Sequence, residues 1–123
     1  MISKEIEKIA YKTASKSNQR RSKMSAIVLG KFHSKIVNKL LRAYNYNVVS
    51  NHQYSIHAEQ HLVSRAARLG VSLKGSTVLV YRIKSKGIGA SKPCEKCREL
   101  LIKAGVYNVI YYNRKEFVKE KLN

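Results

Sequence analysis

The sequence contains no aspartate and no tryptophan, one proline, two cysteines and seven acidic residues, every one a glutamate. Without aspartate, a Ser-His-Asp triad is excluded, and so are magnesium sites built on aspartate. Two cysteines are too few for a disulfide framework, and a bridge between Cys94 and Cys97 would close a tiny loop. A close Cys-x-x-Cys pair in a cytosolic chain points instead to metal or redox chemistry. No apolar run approaches the roughly 18 residues of a membrane span. The first residues, Met1-Ile2-Ser3-Lys4-Glu5, lack the apolar stretch of a secretory signal. The expectation is a cytoplasmic protein with no membrane partner.

What is present is one domain's worth of chain: 123 residues, 44% hydrophobic, with six glycines. That length buries enough surface for a core without staples, so residues 1–123 are expected to form a single domain. Lysine and arginine number 25, giving a formal net charge of +18. No acid lies between Glu7 and Glu59, whereas ten lysines and arginines do. A field of this sign attracts polyanions, nucleic acid above all. The alternative is a generic solvated basic surface.

Helices alternate with short strands. Ile6, Ile9, Ala10 and Thr13 mark one face of a helix over residues 3–17, beside a lysine stripe at positions 4, 8, 12 and 16. Ser25–Leu29 reads as a strand, paired through a turn at Gly30–Ser34 with a second strand over Lys35–Tyr44. A loop rich in Asn, Tyr and Ser spans Asn45–Ser55. A helix over His57–Leu69 ends at Gly70, and Thr77–Ile83 is a strong strand. Pro93 fits the first turn of a helix that runs to Ala104 and stops at Gly105. Val109–Tyr112 is a short strand, and Asn113-Arg114 reads as a turn into a last strand, Glu116–Leu122. The hairpin is favoured over a frayed helix because Phe117 and Val118 are good strand formers and the loop is short.

Two short clusters carry chemistry. His57-Ala58-Glu59 opens one helix, and Pro93-Cys94-Glu95-Lys96-Cys97 opens another. Imidazole and thiolate are what zinc prefers, and three protein ligands leave a fourth position for water. A helix N-terminus also favours the ionised thiol. Glu59 lies about 200° round the helix from His57, so it need not bind the metal and can carry a proton. A second reading adds His61, four residues after His57, to make a closed four-ligand structural zinc site in a basic binding module.

His-x-Glu followed by Pro-Cys-x-x-Cys resembles the signature of the zinc-dependent cytidine/deoxycytidylate deaminase superfamily. Both motifs are complete, thirty-three residues lie between Glu59 and Pro93, and a strand falls between them. The closing hairpin resembles the cytidine deaminase and bacterial-toxin branches, and the chain as a whole resembles compact deaminase-like proteins of phages and large DNA viruses. The resemblance implies an α/β fold of three layers, α/β/α, with a mixed sheet of about five strands. It implies that His57, Cys94 and Cys97 bind Zn2+, that Glu59 shuttles protons, and that the Ala58 N–H meets the carbonyl oxygen of a cytosine ring. Asn45 would contact a sugar, although Ala43 stands where many relatives carry glycine, and Asn47 is an alternative. The Ser-Trp-Ser that precedes Pro-Cys in polynucleotide deaminases of animals is here Ala90-Ser91-Lys92.

The implied reaction is hydrolysis of the C4 amine of cytosine by zinc-activated water, with adenine C6 as an alternative target. A charge of +18 favours single-stranded DNA or RNA as substrate over a free nucleoside or nucleotide. Lys84, Lys86 and Lys92 are the basic residues expected to hold its phosphates. Tyr44, Tyr46 and Tyr54 are expected to serve the core rather than stacking, and His33 and His52 to lie at the surface. An oligomer is compatible with all of this.

Overall fold

Ser3 starts the first helix, its hydroxyl accepting from the Ile6 N–H at 3.1 Å, which satisfies one of the donors a helix start leaves over. The structure, a computed structural model, describes residues 2–29, 41–48 and 55–122. Helix α1 spans Lys4–Ala14, shorter than the lysine stripe suggests. Thr13 and Ser15 turn their hydroxyls back on the carbonyls of Ile9 and Tyr11, a local bond that competes with continued helix.

Strand β1 (Lys23–Leu29) is covered on both faces. Its alternate residues serve different cores: Ala26 and Val28 pack on one side, and Ile27 joins Ala10 of α1 on the other. Strands β2 (Arg42–Tyr44), β3 (Tyr46–Asn47) and β4 (Ser55–Ile56) lead into helix α2 (Ala58–Leu69). Strand β5 (Thr77–Lys84) turns through β6 (Gly87–Ile88) to helix α3 (Glu95–Lys103). Strands β7 (Asn108–Tyr112) and β8 (Phe117–Lys121) close the chain as the expected antiparallel hairpin.

The main sheet has six strands in the order β2-β1-β5-β7-β8, with β6 on the end of β5. Only β5 and β7 run parallel, because α3 carries the chain between them. Helix α1 covers one face through Ala10, and α2 and α3 cover the other through Leu62, Ala66 and Leu101. This is the three-layer α/β/α arrangement with a mixed sheet. The expected turn at Gly30–Ser34 and most of the strand from Lys35 lie outside the described residues, as do His33, His52 and Tyr54. No described helix is long and apolar enough to cross a membrane.

Both helix stops fall where the sequence places them. Gly70 caps α2 with φ 68°. Gly105 has φ 90°, and a Cβ there would stand 2.9 Å from Lys74 Cα, so only glycine fits. Pro93 is displaced from its expected role. Cys94 is the N-cap of α3, so the proline precedes the helix and not its first turn. The extended backbone of Cys94 (ψ 167°) delays the helix by that much.

Candidate active site

His57 and Cys94 are each the N-cap of a helix, α2 and α3, in extended conformation. The Gln60 side chain accepts from the His57 backbone N–H at 2.8 Å, which ties down the start of α2. On the other side, Ser91 is buried and holds the approach to α3. Its hydroxyl donates to the Val80 carbonyl at 2.7 Å and accepts from the Tyr112 N–H at 2.9 Å. Neither anchor is apparent in the sequence. A serine three residues before a cysteine carries no pattern until the sheet brings β5 and β7 to it.

These anchors bring three donor atoms together. His57 Nδ1 lies 3.3 Å from Cys97 Sγ and 3.8 Å from Cys94 Sγ, and all three ligand atoms fall within 4.8 Å of one another. Nitrogen and sulfur on one tetrahedral zinc stand about 3.6 Å apart, given Zn–N and Zn–S bonds of ~2.0 and ~2.3 Å. The donor set therefore fits the ion. Cys97 is buried while Cys94 and His57 are exposed, which leaves an open side.

Burial raises the Cys97 thiol well above its ordinary range, helped by the Glu59 carboxyl and by Cys94. The helix N-terminus, expected from sequence to ionise the thiol, is outweighed at Cys97. Cys97 would bind a cation as the thiolate, giving up its proton on binding.

Glu59 is 2% exposed, and its Oε1 has no hydrogen-bond partner among the described residues. Burial holds its carboxyl above the usual range, while its own backbone N–H, His57 and Cys97 pull the other way. A buried carboxyl oxygen left unpaired is rare in a stable fold. A carboxyl whose charged form is disfavoured by burial accepts a proton more readily than a solvated one.

Ala58 is fully buried at the first position of α2, where a helix N–H has no intrahelical acceptor. Asn45 is buried with both ends of its amide engaged. Its Oδ1 accepts from the Met24 N–H at 2.7 Å, and its Nδ2 donates to the Ser22 carbonyl at 2.9 Å. It braces the end of β1, which leaves little of it for a sugar. Asn47 is likewise bonded, to Asn18. Lys84, Lys86 and Lys92 are exposed, and they are not equivalent. Lys92 adjoins Pro93, whereas Lys84 ends β5 four residues past Val80, where Ser91 is held, or roughly 13 Å along the strand.

His61 does not join the donors. Its Nδ1 is 2.8 Å from the Tyr44 carbonyl, its ring packs edge-on against Tyr44 and Tyr46, and burial lowers its pKa. The four-ligand reading is set aside on this geometry. His61→Ala should therefore keep its zinc within about twofold of wild type by elemental analysis. Loss of the ion would restore the closed site.

Tyr44 and Tyr46 are half-buried and belong to neither core cluster. The expectation that they serve the core is corrected.

The sequence matches the family described as cytidine and deoxycytidylate deaminase zinc-binding region over residues 2–113. No curated protein sequence matches it. Among solved structures, it is similar to cytidine deaminase from Burkholderia pseudomallei, with 16% identity and a TM-score of 0.72, covering 99% of this chain and 94% of that one. It is also similar to cytidine deaminase from Mycobacterium leprae (20% identity, TM-score 0.59, covering 91% and 87%). A third is the dCMP deaminase of cyanophage S-TIM5 in complex with dCMP and dUMP (21%, TM-score 0.56, covering 89% and 82%). At these identities the likeness is one of fold.

Proposed function

Because the chain belongs to the cytidine and deoxycytidylate deaminase family, we propose that it hydrolyses the C4 amine of a cytosine base, taking up one water and releasing ammonia and uracil. The observation that carries this is the unpaired, buried Oε1 of Glu59 beside the His57, Cys94 and Cys97 donors. His57, Cys94 and Cys97 would hold zinc, which would supply a Lewis acid and lower the pKa of a water towards 7.

Glu59 takes one proton of the attacking water and passes it to ring N3. It then takes the proton of the hydroxyl now on C4 and delivers it to the departing nitrogen as the C4 carbonyl forms. Its buried carboxyl is disfavoured in the charged form, which favours its acceptance of a proton. The Ala58 N–H holds the ring carbonyl at C2. Gln60 and Ser91 position the two helix starts and touch no reacting atom.

A free nucleoside or nucleotide is the substrate that the comparisons support best. The B. pseudomallei cytidine deaminase is matched along nearly its whole length, and the phage dCMP deaminase holds dCMP and dUMP. A second reading, a cytosine in single-stranded DNA or RNA, is favoured by the charge of +18. One or two cations satisfy a single phosphate, and a charge of this size suits a strand.

The test is to incubate zinc-loaded protein with cytidine, dCMP and cytosine-bearing oligonucleotides of increasing length, with adenosine as comparison. Turnover of cytidine or dCMP with no gain in kcat/KM on lengthening supports the first reading. A steep gain with length supports the second. Conversion of adenosine alone, or of nothing, overturns both.

A further inference from the structure

Away from the zinc donors, five of the 25 lysines and arginines lie together along one edge of the fold. A cleft of about 490 Å³ opens between the end of α1, strands β2 and β3, and the outer side of α2. Lys16, Asn18, Tyr44, Tyr46, His61 and Arg68 line it. Lys16 is shared with a neighbouring hollow that holds Lys12 and Arg42, and Arg68 with another that holds Arg65. Among the described residues, five cations thus form one continuous band, and no glutamate lines any part of it. Arg65 and Arg68 are close enough to oppose protonation of His61.

In the middle of this band sit three rings. His61 is 5.0 Å from Tyr44 and 5.1 Å from Tyr46, centroid to centroid, both near perpendicular, and the tyrosines are 6.3 Å apart at 64°. None is stacked in parallel on another. Aromatic rings between cations, with no acid among the described residues that line the cleft, match a chain of phosphates that carries flat bases. An acidic peptide would match the cations and leave the rings without a function.

We propose that this cleft binds single-stranded nucleic acid, with Tyr44 and Tyr46 stacking bases and the flanking Lys16 and Arg68 holding phosphates. The site is separate from the zinc donors, and it stands whether or not a bound strand is also deaminated. It starts one helical turn along α2 from His57.

The probe is fluorescein-labelled dT15, which contains no cytosine and so tests binding apart from turnover. With Lys12, Lys16, Arg65 and Arg68 engaged, log K should fall against log salt with a slope of about −2.8, at ~−0.7 per phosphate, or roughly 50-fold between 50 and 200 mM. Lys16 and Arg68 are exposed, and reversing both (Lys16→Glu, Arg68→Glu) should weaken dT15 binding at least tenfold. The same charge change at the far edge, Lys115→Glu with Lys119→Glu, should leave it within about twofold. Tyr46→Leu, which keeps apolar bulk and removes the ring, should cost at least about fivefold. Zinc content, unchanged in every variant, reports an intact fold. Equal losses in the two double variants would overturn the proposal in favour of net charge alone. So would full binding by Tyr46→Leu, or polyglutamate of equal charge binding as tightly as dT15.

Discussion

Replacing Glu59 with glutamine should lower turnover by roughly 10²–10⁴-fold, the range that general acid–base catalysis supplies, with about one zinc still bound per chain. The carboxyl interacts with His57 and Cys97 and is not among the three clustered donors. The metal therefore stays when Glu59 can no longer carry a proton. Glutamine preserves the volume of a side chain that is 2% exposed, so a loss of fold should not accompany the loss of rate. Circular dichroism and elemental zinc analysis check both halves. A variant that loses its metal would make Glu59 a ligand, and one that keeps its rate would move the proton carrier elsewhere.

Cys97→Ala should have the largest effect on stability. Cys97 is buried at the contact between α2 and α3, and its sulfur lies 3.3 Å from His57 Nδ1. The ion is thus expected to tie two helix starts that are far apart in sequence. Losing a ligand should weaken zinc binding by well over the 10–100-fold that loss of a second-shell partner costs. Zinc present at a thousand times its Kd stabilises the fold by about 4 kcal/mol. For a chain of this length that is a fall in Tm of about 15 °C. Addition of a chelator to wild type should reproduce the fall, and the variant should be indifferent to it. Equal melting of wild type with and without chelator would show that the metal does not hold the fold together.

The donors of the site were legible from residue types and spacing alone. Two residues between cysteines at a helix start, and a histidine two before a glutamate at another, determine which atoms share a face. That is local geometry, and local geometry survives into the fold. The glycine stops at Gly70 and Gly105 were legible for the same reason, as was the final hairpin at Asn113-Arg114, where a short loop joins two strand-forming runs.

The tertiary structure decided what depends on register between distant segments. Whether Asn45 faces a substrate or braces β1 depends on which carbonyl and N–H lie opposite it, and these are Ser22 and Met24. His61 shares a helical face with His57, yet the Tyr44 carbonyl on the neighbouring strand takes its nitrogen. Tyr44 and Tyr46 line an open edge because β2 ends the order β2-β1-β5-β7-β8, which a stretch of apolar and polar letters does not reveal. Charge shows the same division. Composition determined that the surface is basic, and only the packing of α1, β2 and α2 gathers five of those cations, with no glutamate among the described lining residues, around three rings.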